Sequence, residues 1–242
     1  MSTVGGGVNI VTDGLVLYLD AANISSYSGS GTTWTDLSRS GNNGTLVNNP
    51  TFDSANKGSI VFDGVDDFIN CGNSPILVFG TLDFTVSIWI KTPIASTGEG
   101  SPSQWGPIVS KGCTTSAPAG TWWIAQSGIL NNRLAFNAAS TTGGTFVCYL
   151  ETPPFLVDGW HNIIVIRSGI VSTMYTDGRL SSTDTSSDSN LSTTEPLYIG
   201  ATSPRSSKKT SMSLSQVQIY NRALSAQEIL QNYNATRTRY GL

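Results

Sequence analysis

The chain is short of charge, of histidine and of cysteine, and each shortage excludes something. Of its 242 residues only 12% are Asp, Glu, Lys or Arg, and the formal net charge is -3. A protein that grips a nucleic-acid backbone needs clustered Lys and Arg to neutralise phosphates. The two basic spots here, Arg205 with Lys208 and Lys209, and Arg237 with Arg239, are too small for that and read as solvated surface. Nucleic acid is therefore not an expected partner. His161 is the single histidine, so any Ser-His-Asp or Cys-His arrangement would have to use it. Cys71, Cys113 and Cys148 are an odd number, so at least one thiol is free unless it pairs with another chain. Reduced thiols are the expectation, with a Cys113–Cys148 bridge as the conceivable exception. One histidine and three scattered cysteines show no zinc-ligand spacing. No apolar run is long enough to cross a bilayer, so no membrane is expected as a partner. The first residues carry neither a basic n-region nor an apolar h-region, which predicts synthesis without a secretory signal. Coiled-coil heptads are absent too, which argues against a long fibre shaft.

What is present is β-strand and turn. Phe84, Val86, Ile88 and Ile90 alternate with Thr85, Ser87, Trp89 and Lys91, a period-2 pattern with one strongly apolar face. Strand-like runs recur at Leu15–Asp20, Ser59–Asp63, Phe68–Cys71, Thr121–Ala125, Thr145–Leu150, Trp160–Arg167, Leu197–Gly200 and Val217–Tyr220. Val171–Thr176, Asp177-Gly178 and Arg179-Leu180 read as a hairpin, because both central residues of a two-residue turn need positive φ. Residues 21–50, 92–107 and 181–194 read as loops. Near the end, Ser225 and Glu228 form a capping box, with Leu224 and Ile229 at the spacing of a hydrophobic staple. The fold class predicted is all-β: a two-sheet antiparallel jelly-roll sandwich with one short C-terminal helix. Residues 1–12 read as a Gly-rich N-terminal arm and 13–242 as a single domain.

Five stretches, in order, resemble the laminin-G-like, concanavalin A-like jelly roll. They are Ile60–Phe68, Phe84–Ile90, Trp160–Ile163, Tyr175–Arg179, and Leu197–Gly200 with Val217–Ile229. The resemblance implies that His161, in its Trp-His pair, serves packing. A narrower resemblance lies in Asp13–Asn23, Thr32–Ser38 and Asn232–Arg237, which look like virion proteins of tailed phages, marine or cyanobacterial. It implies a non-enzymatic structural protein, most simply a capsid decoration or cement subunit. Such a protein is made in the host cytoplasm and located in the virion. Its partners would be other virion proteins, copies of itself among them. The alternative is a glycan-binding host-recognition module of a tail or fibre.

Candidate chemistry is sparse. The Glu-x-Asp-x-x-Glu strand pattern by which one branch of this fold cleaves glycans is absent, and Glu99, Glu151, Glu195 and Glu228 are isolated. No catalytic residue is assigned. Asp63, Asp66 and Asp67 form the densest acidic cluster. It reads either as a calcium site, since hard cations take carboxylate oxygens in loops, or as a turn in which Asp binds its own backbone and Gly64 supplies positive φ. For a glycan or partner contact the candidates are Trp105, Trp122, Trp123 and Tyr149. Trp122 and Trp123 are adjacent on one strand and must point to opposite faces, so one of them is expected at the surface or an interface.

Overall fold

The computed structural model describes residues 9–55, 57–92, 106–112, 120–126, 133–140, 146–154, 159–185, 190–202 and 209–242. Among them the strands run β1 (Leu15–Asp20), β2 (Thr33–Trp34), β3 (Gly44–Val47), β4 (Thr51–Asp53), β5 (Ser59–Asp63), β6 (Phe68–Asn70), β7 (Phe84–Lys91) and β8 (Gly106–Lys111). They continue as β9 (Thr121–Gln126), β10 (Leu134–Ala139), β11 (Phe146–Glu151), β12 (Trp160–Ser168), β13 (Val171–Thr176), β14 (Arg179–Thr185), β15 (Leu197–Ile199) and β16 (Ser211–Tyr220). Helix α1 (Ala226–Thr236) follows, and a 3-10 turn over Arg237–Tyr240 nearly closes the chain.

The strands form two antiparallel sheets. One has the order β14-β13-β12-β7-β16-β5-β4, with β1 also paired to β16; the other has the order β11-β10-β9-β8-β15-β6-β3-β2. Strand β16 is long enough to serve two neighbours on one side. Its first half, Ser211–Leu214, pairs with β5, and its second half, from Gln216 to Tyr220, pairs with β1. The inward positions of both sheets join in one apolar cluster. Phe84, Val86, Ile88 and Ile90 of β7 belong to it, with Ile163 and Val165 of β12 and Trp122, Ile124, Phe136 and Leu150 of the opposite sheet. This is the sandwich that the strand pattern predicts.

Three expectations need correction. Residues 21–50 are not all loop: β2 and β3 add the outermost strands of the second sheet. These strands are too short to show a period. Residues 181–194 are not all loop either, because β14 runs to Thr185 as an edge strand, which tolerates its polar sequence. Residues 92–107 are not all loop either, since β8 begins at Gly106; strand β7, whose sequence has one strongly apolar face, is buried on both faces. The reason lies at the C-terminus. Trp89, on the outward face, stacks on Tyr240 (centroids 3.9 Å apart) and on Tyr233 (5.9 Å), and its indole N–H donates to Thr236 Oγ1 at 2.9 Å. The helix and 3-10 turn thus roof the outer face of the first sheet.

The roof is held at both ends. At its start the capping box forms: Glu228 N–H donates to Ser225 Oγ, and Ser225 N–H donates to the Glu228 carboxylate. Leu224 and Ile229 of the staple join Ile164, Ile166 and Tyr220 in a second apolar cluster. At its end Arg239 donates to both oxygens of the buried Asp20, at 2.8 and 3.0 Å. Asp20 also accepts from Gln216 Nε2 (2.8 Å), Tyr18 OH (3.1 Å) and the N–H of Ala22 (3.0 Å). Residues 9–12 of the N-terminal arm are not free. Val11 N–H donates to Asn232 Oδ1, and Tyr220 OH donates to Val11 O. Residues 1–8 of that arm lie outside the described residues.

Candidate binding site

The acidic cluster sits in the turn leaving β5. Gly64 has φ 80°, and Asp63 Oδ1 accepts the N–H groups of Val65 (2.8 Å) and Asp66 (3.3 Å). Asp67 Oδ2 accepts the N–H of Asp63 at 3.0 Å. The turn reading therefore holds, and the three carboxylates still converge, with oxygens within 4.8 Å of one another. Their electrostatics differ. Burial acts to raise the Asp63 carboxyl, but the backbone N–H groups of Val65, Asp66 and Asp67 outweigh it and hold it below its usual value. Asp67 is pushed up to about 6, first by burial and then by the charges of Asp63 and Asp66, against the backbone bond from Asp63. Such a cluster offers hard oxygen donors of the kind calcium takes, and a cation there would relieve the crowding at Asp67.

The aromatic candidates separate. Trp105 lies outside the described residues. Trp122 is 1% exposed in the inter-sheet core, stacked on Phe84 at 5.5 Å, and cannot meet a ligand. Trp123 points to the other face as alternation requires, yet it is only 7% exposed, with the Phe146 ring edge-on at 5.8 Å. Of the expectation that one of the pair would lie at the surface or an interface, the surface alternative is corrected: strand periodicity sets the face, and tertiary cover sets the exposure. Tyr149 is 45% exposed, and its hydroxyl bonds Glu151.

Register brings residues together that sequence reading passed over. Across the second sheet Asn70 pairs with Tyr198, Tyr198 with Ser110, Ser110 with Trp123, Trp123 with Asn137, and Asn137 with Tyr149. One transverse row on one face therefore alternates polar and aromatic side chains. Asn137 is buried, and among the described residues its side-chain nitrogen has no hydrogen-bond partner. A buried unsatisfied donor carries a cost of about 1–3 kcal/mol. The signal for Asn137 was in the sequence, since it alternates with Phe136, but its neighbours come from other strands.

The other reactive-looking groups are engaged. His161 Nδ1 lies 2.8 Å from Asp177 Oδ2, and Asp177 Oδ1 accepts the N–H of Asn162 at 2.8 Å, fixing the Asp177-Gly178 turn. Both turn residues have positive φ (51° and 75°), as Asp-Gly predicts. Glu228 binds Arg222 at 2.7 Å, and Glu151 faces Arg133 at 3.4 Å. Among the described residues Cys71 and Cys148 are free and buried, and Cys113 lies outside the described residues. Burial pushes their thiols up to about 12 and about 11, which keeps them protonated and unreactive. Lys111, buried in β8, is pushed down to about 8 by burial, against the charge of Glu195; its Nζ donates to the backbone oxygen of Glu195 at 2.7 Å.

Further hollows open at the surface among the described residues. Asn42, Asn43, Asn70 and Asn73 line a polar groove of about 360 Å³. A larger cleft of about 650 Å³ lies between the β13–β14 turn and the end of α1.

Comparison with known proteins places this architecture. The laminin G 3 family profile, described as "Concanavalin A-like lectin/glucanases superfamily", matches residues 62–230. The binding domain of Paraclostridial Mosquitocidal Protein 1 is similar, with a TM-score of 0.72 at 16% identity over 92% of this chain and 52% of that one. The binding domain of botulinum neurotoxin serotype D follows at 0.69 and 14%, over 93% and 52%. A Trypanosoma rangeli sialidase matches at 0.66 and 15%, over 97% and 34%. This chain thus spans about half the length of those toxin domains and a third of the sialidase. At such identities the likeness is one of fold. No curated protein matches the sequence.

Proposed function

Because the chain belongs to the concanavalin A-like lectin/glucanases superfamily, we propose that it is a non-enzymatic module that works by surface contact, set in a phage virion as a capsid decoration or cement subunit. The virion setting is supported by the three stretches that resemble virion proteins. The first two meet in space, and each end stretch bonds a residue next to another: Asp36 of the second accepts the N–H of Tyr18 in the first, Asp20 of the first takes Arg239 just beyond the third, and Asn232 of the third accepts the N–H of Val11 just before the first. These bonds tie residues near the start and the end of the described chain to the sandwich. Its partners would be other virion proteins, including further copies of itself. Mass spectrometry of purified particles tests this: the protein is expected at high copy number, and particles free of it sink the proposal.

A second reading, a glycan-binding host-recognition module, is favoured by one observation: the row of alternating polar and aromatic residues on the second sheet, where the exposed Tyr149 lies beside the buried, orphan amide of Asn137. Aromatic faces with interspersed amides suit sugar rings and their hydroxyls. Calcium at Asp63, Asp66 and Asp67 would accompany either reading. A glycan array run with and without calcium is expected to give binding that Asn137→Ala removes; a blank array in both conditions rejects this reading.

A further inference from the structure

The geometry points to the cleft between the β13–β14 turn and α1 as a site for an anionic saccharide, distinct from the row on the opposite sheet; this rests on the glycan-binding reading. Its volume of about 650 Å³ falls within the ordinary range for ligand pockets. Two guanidiniums line it, Arg179 from the hairpin and Arg237 from the 3-10 turn. Among the described residues neither has an ion-pair partner, whereas Arg133, Arg222 and Arg239 each bind a carboxylate. The one carboxylate in the lining, Asp177, is already taken by His161 and by the N–H of Asn162. The cleft therefore presents a net positive charge with planar donor forks, which match carboxylate or sulfate.

The rest of the lining suits a sugar. Leu180 and Leu230 are 60% and 50% exposed and offer apolar walls to the C–H faces of a ring. Asn234 supplies an amide for hydroxyls. Tyr233 is held by its stacking on Trp89, and Arg237 lies over its ring at 5.9 Å, so one fork is placed before a ligand arrives. A protein partner needs a broad surface, about 800 Å² on each side; a concave hollow with two free forks selects a small anion-bearing ligand instead.

The test is titration of the full chain, by calorimetry and ligand-observed NMR, with a galacturonate trisaccharide, a sulfated tetrasaccharide and neutral maltotriose. The acidic probes are expected to bind more tightly than the neutral one and to weaken as salt rises. Arg179→Gln and Arg237→Gln should each cost about tenfold in affinity, and the double variant should bind neither acidic probe. Arg133→Gln, outside the cleft, should bind as the parent does. Preference between the two acidic probes names the anion. Acidic-probe binding that survives the double substitution overturns the cleft assignment and leaves the glycan reading intact. Binding of none of the three probes by the parent chain overturns both.

Discussion

Two groups of aspartates in this molecule share a residue type and nothing else. Asp20 is buried at the seam of β1, β16 and the chain end, and five donors converge on it. Asp63, Asp66 and Asp67 crowd one turn, with Asp67 buried and the other two exposed, and there the donors are backbone N–H groups. The first carboxylate is a tie; its charge is consumed in fixing the roof that covers Trp89. The second group sets three carboxyls side by side, and burial first, then the charges of Asp63 and Asp66, pushes Asp67 up to about 6. An acidic residue in a sequence says little about chemistry until its partners are known.

The largest expected effect falls on the tie. Arg239→Met should cost about 3 kcal/mol in urea unfolding, because it leaves a buried charge unmatched. A loss below 0.5 kcal/mol, on the order of a neutral surface change, would place the tie among weak surface pairs and dissolve the contrast. Ser225→Ala should cost about 1 kcal/mol. Glu228→Gln probes the same cap through pH. Arg222 first, and then the N–H of Ser225, hold Glu228 down at about 2, so its contribution is complete above its ordinary value and is lost as pH falls through 2. The Gln variant should therefore be less stable than the parent at pH 7, and the gap should close by pH 2.

The turn should behave in the opposite sense. Asp67 is raised to about 6, so the folded chain favours its protonated form. Its ionisation therefore opposes folding fully above pH 6 and not at all below its ordinary value. Asp67→Asn should raise the melting temperature slightly at pH 8 and leave it unchanged at pH 3.5. Calcium sharpens the contrast. Millimolar calcium should raise the parent's melting temperature, by ligand linkage, and leave Asp67→Asn where it was. A calcium response that persists in the variant would move the ion elsewhere. The smallest effect concerns the thiols: Cys71 and Cys148 should resist alkylation until the chain unfolds.

Much of this was legible in sequence because it is local. The alternation of Phe84–Lys91, the Asp177-Gly178 hairpin and the Ser225–Glu228 box each depend on residues a few positions apart, and each stands as read. The candidate sites were less legible. Trp122 and Trp123 were assigned to opposite faces correctly, but cover from elsewhere decides exposure. Asn137, Arg179 and Arg237 gain meaning only from neighbours on other strands or on the helix.

The sequence alone determined the longer strands and the helix, with their faces and turns, since backbone sterics and side-chain periodicity operate within a few residues. Tertiary structure alone decided that β7 is buried on both faces. It also joined Asp20 to Arg239 across 219 positions and set two arginines in one cleft. The reason is that burial and charge pairing depend on distance in space, and the path of the chain sets that distance.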